Sequence, residues 1–217
     1  MKYDFNEYKV DLHFATPVYR INRKDFLPIL KSVFEEYLSK SLKNEPKNEI
    51  YPVSMTGDLK QDERLIPFLK YIANIAWDTL NTQGYFMDPF LTQIASVWGQ
   101  NHSKYSSMDY HNHNDGILCV FYFLDTPSNS MDIILHDPRP AKTILGLPVK
   151  VNNNIVTSTN TIGYSPSPGD IIITNGWLPH SFSRNKSNEE YNFLHMTVNV
   201  INDPGYGNFE SSNPVVI

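Results

Sequence analysis

Residues 111–127 read HNHNDGILCVFYFLDTP, and the change of grammar inside this stretch decides the fold. From Ile117 to Leu124 every residue is apolar, with β-branched and aromatic side chains prominent, and Asn, Asp, Gly and Pro stand at both ends. That is the composition of a short strand between turns. The same grammar returns at Gln93–Trp98, Met131–Leu135, Ile171–Thr174 and Phe193–Ile201, so the chain reads as all-β from about Tyr85.

Upstream the periodicity is different. Phe26, Leu27, Ile29, Leu30, Val33, Phe34, Tyr37 and Leu38 recur at spacings of three and four, the stripe of an amphipathic helix over Asp25 to Lys43. A second stripe begins after Asp62 and runs through Leu65, Phe68, Leu69, Ile72, Ala76 and Leu80 to an end near Gly84. Two helices followed by many short strands predict a mainly β jelly-roll or sandwich with N-terminal helices packed on its outer face. The expected division is one domain over 1–217, with a helical part at about 20–84 and a barrel at about 85–201. The segment from Pro138 to Pro168, rich in Pro, Asn, Ser and Thr, is expected to include a long loop over one mouth of the barrel, and the tail after Asn202 to be loose.

At 217 residues the chain suits one domain with a full core. Its formal charge of -5 and the absence of any Lys/Arg block argue against nucleic acid as a partner. No apolar run reaches the ~18 residues of a membrane span, and no secretory leader opens the sequence. A soluble, unprocessed protein of the cytoplasm is expected. Cys119, the single cysteine, excludes an internal disulfide and reads as a buried core residue.

Of seven histidines, His111, His113 and His180 fall at the ends of expected strands, and Asp115 follows His113 by two residues. Residues i and i+2 at a strand end share a side, so His113 and Asp115 can converge on one face of a metal ion. His180, just beyond the strand Ile171–Thr174, supplies a third ligand. Three ligands on one face leave positions open for co-substrate and O2, as in non-haem Fe(II) sites, although the same donors also suit zinc. His111 reads as a neighbour of the ligands or a substrate-facing group, in preference to being a ligand itself. Tyr122 is either a core aromatic or a hydrogen-bond donor to a co-substrate.

The surrounding text resembles the family of 2-oxoglutarate and Fe(II)-dependent oxygenases of phages and bacteria, related to prolyl 4-hydroxylases. The similarity runs through LHFATPVY at 12–19, SVWGQN at 96–101, HNHND at 111–115 with ILCVFYFLDTP at 117–127, LHDPR at 135–139, and PGDIII at 168–173 with WLPH at 177–180. It implies a double-stranded β-helix, Fe(II) held by His113, Asp115 and His180, 2-oxoglutarate and O2 as co-substrates, and hydroxylation of a peptidyl or small-molecule substrate. It also exposes a gap. The last strand of such enzymes usually carries an Arg or Lys for the far carboxylate of 2-oxoglutarate, whereas FLHMTVN at 193–199 has neither. Phe193 stands where the Arg is expected; a protonated His195 on the same face, or Arg139 after the strand before it, is a replacement anchor. A different co-substrate, or a metal-binding jelly-roll of the cupin kind without turnover, fits the same gap.

Overall fold

The structure is a computed structural model, described here for residues 9, 11, 13–144, 147 and 155–206. In chain order the elements are β1 (Val18–Asn22), α1 (Leu27–Asn44), β2 (Val53–Met55), α2 (Ile66–Thr82), β3 (Phe90–His102), β4 (Met108–His111), β5 (Leu118–Asp125), β6 (Ile133–His136), α3 (Pro140–Ile144), β7 (Thr161–Tyr164), β8 (Asp170–Asn175), β9 (His180–Phe182) and β10 (Tyr191–Asn202). One sheet has the order β1-β8-β5-β10-β3-β2 and the other β4-β9-β6-β7, and every pairing is antiparallel. The eight strands β3 to β10 lie four in each sheet and switch sheets at every step except the antiparallel β6–β7 pair, which is a jelly-roll; β1 and β2 widen the larger sheet at its two edges.

The period-two alternation of β5 and β10 sorts two cores. Leu118, Val120, Tyr122 and Leu124, with Leu194, Met196 and Val198, face outward onto α1 and α2 and join Val33, Phe34, Phe68, Ile72 and Leu80. Cys119, Phe121, Phe123 and Phe193 face inward and meet Ile133, Leu135 and Phe182 of the smaller sheet and Leu178 of the β8–β9 turn. Both expected helices form, with a proline in the first turn of each. Asp62 accepts the Arg64 backbone N–H at 3.0 Å and so starts the 3-10 turn that leads into α2.

Several elements escaped the sequence reading. β1, β2, β4, β7 and β9 are three to five residues long, too short to show a period. The expected long loop is shorter than its composition suggested, because α3 and β7 lie inside 138–168; residues 145–146 and 148–154 are outside the described residues. The expected loose tail lies outside them from 207 onward. His102 is a fully buried member of β3, its ring between Ser106 Oγ at 3.2 Å and Gln100 Oε1 at 3.0 Å. No helix among the described residues is long and apolar enough to cross a membrane.

Candidate metal centre

β4 and β9 pair at one end of the smaller sheet with His111 opposite His180, so two imidazoles face each other across a strand pair, their ring centroids 4.4 Å apart. His113 lies two residues beyond the end of β4. The His113 backbone N–H donates to Gly176 O at 3.0 Å, and His111 and His113 lie side by side at 5.1 Å. The His113 and His180 rings are stacked at 5.3 Å. One donor atom from each of His111, His113 and His180 can be chosen so that all lie within 4.8 Å of one another.

Gly176 holds this turn in place. A Cβ there would stand 1.9 Å from Gly116 O and 2.8 Å from His113 O, so only a residue without a side chain lets the two loops cross. The crossing is tied by the Gly176 N–H donating to Ile117 O at 2.8 Å.

The three rings are oriented alike. His111 Nδ1 lies 2.7 Å from Asp109 O, His180 Nδ1 3.2 Å from Leu178 O, and His113 Nδ1 3.8 Å from an Asp115 carboxylate oxygen. The Nε2 atoms of His113 and His180 are buried and have no protein partner. A buried ring nitrogen without a partner is costly, and a metal ion would satisfy it. Burial, with the neighbouring imidazoles adding to it, pushes the pKa of His180 down to about 3 and lowers that of His113, so both rings are neutral ligands near neutral pH. The residues therefore fit a divalent metal, with His113 and His180 its best-placed donors.

Asp115 is set differently from the expectation. Its side chain is 72 % exposed and lies on the Nδ1 side of His113, away from the inward Nε2. The reason is local: β4 ends at His111 and Asn114–Asp115 form a turn, so the i and i+2 rule of a strand does not hold between His113 and Asp115.

The three residues expected to hold 2-oxoglutarate are not grouped together. Tyr122 points into the helix-covered core, where its hydroxyl donates to Arg23 O at 2.8 Å, so the core-aromatic reading replaces the co-substrate one. Arg139 is paired with Asp137 at 2.7 Å, is more than half exposed, and lines a separate cleft of about 290 Å³ with His13, Asp137 and Leu178. His195 does lie beside the centre, packed on Trp98 at 4.2 Å, His113 at 4.4 Å and Phe121 at 4.7 Å. Its burial and the adjacent imidazoles hold its pKa well below the usual histidine value, which disfavours the expected protonated anchor. Neither of its nitrogens has a partner. Among the described residues no Lys or Arg is fully buried, and the carboxylates of Asp62 and Asp137, each 8 % exposed, are paired with arginines.

Known proteins place this arrangement. Residues 96–192 match the family model described as putative 2OG-Fe(II) oxygenase. Among curated proteins none matches significantly. Among solved structures the chain is similar to AviO1 from Streptomyces viridochromogenes Tue57, at 12 % identity and a TM-score of 0.59 over 88 % of this chain and 91 % of that one. It is also similar to a Pseudomonas putida prolyl-4-hydroxylase, at 10 % identity and a TM-score of 0.55 over 84 % and 92 % of the two chains. HygX from Streptomyces hygroscopicus, solved with nickel and 2-oxoglutarate bound, aligns at 12 % identity and a TM-score of 0.53 over 84 % and 82 %. These likenesses confirm the jelly-roll, and the family match covers the segment that carries His111, His113 and His180. Through residues 96–192 the chain resembles the putative 2OG-Fe(II) oxygenase family, and that match together with the shared fold supports an Fe(II)- and 2-oxoglutarate-dependent oxygenase.

Proposed function

We propose that the protein hydroxylates a peptidyl or small-molecule substrate at the mouth of the barrel, with its metal held by the inward Nε2 atoms of His113 and His180. The observation that carries this is the pair of buried, unpartnered Nε2 atoms at the meeting of β4 and β9. Bound Fe(II) supplies the activation of O2, in which 2-oxoglutarate is oxidised to succinate and CO2 while one oxygen atom enters a C–H bond of the substrate.

The chain's own residues give the site a dry side and an open side. Phe121, Trp98 and His195 close the inner side of the histidines and exclude water. On the outer side a cavity of about 270 Å³ lies against His113, lined also by Gly116, Asn175, Tyr85 and Trp177. Tyr85 and Trp177 are about half exposed there, and they give an incoming substrate two aromatic faces on which to pack. The likeness to a prolyl-4-hydroxylase favours a peptidyl substrate as the first class to screen.

The test is anaerobic titration of the apo-protein with Fe(II) and then 2-oxoglutarate, following the weak visible charge-transfer band of the chelate, with His180→Ala as control. A band confined to the unmutated protein is the expected result. A metal-binding jelly-roll without 2-oxoglutarate turnover is the second reading, favoured by the absence of a buried cation among the described residues; it takes the lead if Fe(II) binds and no band forms.

A further inference from the structure

We infer that the metal centre consists of three imidazoles, His111, His113 and His180, with no carboxylate ligand, and that the undiminished charge of its metal retains a dianionic co-substrate in a barrel whose described residues bury no Lys or Arg. The inference rests on the oxygenase reading and says which residues and which charge do the work.

The geometry decides among the four candidate ligands. Each of the three rings has its Nδ1 turned to an oxygen, from Asp109 for His111, Asp115 for His113 and Leu178 for His180, which leaves Nε2 as the free donor on all three. This is the usual arrangement of a metal-binding histidine, whose second nitrogen is steadied by a carbonyl or carboxylate. Asp115 occupies that outer place: it faces Nδ1 of His113, whereas a metal bound to the buried Nε2 lies on the far side of the ring. Asp115 is thus a positioning residue. His111 faces His180 across the strand pair and has a donor atom within 4.8 Å of donors on His113 and His180.

The electrostatic consequence follows from counting charges. Three neutral imidazoles leave a divalent ion its full 2+ charge; among the described residues no Lys or Arg is buried, and the buried carboxylates of Asp62 and Asp137 are each paired with an arginine. Buried charge is tolerated only when compensated. A 2-oxo dicarboxylate brings two negative charges and makes the filled site neutral, whereas a 2-oxo monocarboxylate leaves one positive charge. Selectivity for the dianion then needs no arginine, which accounts for Phe193 and the aromatic wall of Phe121, Phe123 and Phe182 in its place.

The experiment is anaerobic binding of Co(II) and Fe(II) to the full chain and to His111→Ala, His111→Asp, Asp115→Asn and His180→Ala, each checked for folding by far-UV circular dichroism. 2-Oxoglutarate and 2-oxobutyrate are then titrated onto the metal-loaded proteins. His111→Ala is expected to lose more than about a hundredfold in metal affinity, and Asp115→Asn about tenfold or less, the size of an orienting contact. His111→Asp is expected to keep the metal while the preference for 2-oxoglutarate over 2-oxobutyrate shrinks about tenfold or more, since the new carboxylate removes one unit of charge from the centre. X-ray absorption of the Co(II)-loaded unmutated protein counts the imidazoles without any variant, and three are expected. Two imidazoles, or a larger metal loss in Asp115→Asn than in His111→Ala, overturns the ligand set. An unchanged preference in a folded, metal-loaded His111→Asp protein overturns the charge argument. Failure of the oxygenase reading looks different: three imidazoles are counted and neither 2-oxo acid binds.

Discussion

Tyr122 and His102 show how burial assigns a role to a polar side chain. The Tyr122 hydroxyl has one partner, Arg23 O at 2.8 Å, on the helix side of β5. Tyr122→Phe should therefore cost about 1 kcal/mol of stability in urea unfolding and leave the 2-oxoglutarate titration unchanged. A tenfold weaker co-substrate affinity in that variant would instead put the hydroxyl in the site. His102 is buried with its pKa pushed down to about 4 by the loss of water around it. The unfolded chain takes up a proton near pH 6.5 and the folded chain does not, so the contribution of His102 is fully present above pH 6.5 and is lost as the pH falls toward 4. From pH 7 to 5 it should remove about 2 kcal/mol, and His102→Gln, which keeps a polar side chain that does not titrate, should show a correspondingly smaller fall over the same range. Urea midpoints at the two pH values for both proteins make the comparison.

At the scale of elements, the helix layer fits the sheet closely at one point. Gly99 of β3 lies under Phe34 of α1, and a Cβ there would meet Phe34 Cδ2 at 2.4 Å and Cε2 at 2.6 Å. Gly99→Ala is expected to destabilise by about 1–3 kcal/mol through overpacking. The Phe34→Leu background should relieve part of that loss, and a double-mutant cycle in urea reads the coupling directly. The helices themselves were legible because their apolar stripes span four to five turns, long enough for the 3.6-residue period to stand out. The long strands β3, β5 and β10 were legible from their β-branched and aromatic runs. β4 and β9, which carry His111 and His180, were not, because four and three residues set no period and their stability comes from pairing with each other and with β6.

For the whole molecule, we propose one folding unit, since the outer face of the barrel sheet and the inner faces of both helices share a single core from Leu30 to Val198. Far-UV circular dichroism and tryptophan fluorescence should then follow one coincident urea transition; separate transitions would divide the helices from the barrel. The sequence by itself determined the layer order, the two helices, the inward and outward faces of the central strands and the neighbourhood of the metal, because each is written in a local period or in a block of adjacent residues. It also marked His113 and His180. Only the tertiary structure brought His111 into the cluster and turned Asp115 outward, because both outcomes depend on where β4 stops and on its register with β9. A one-residue change in the end of a strand reverses the side to which the following residues point, and that end is fixed by pairing partners far away in the chain.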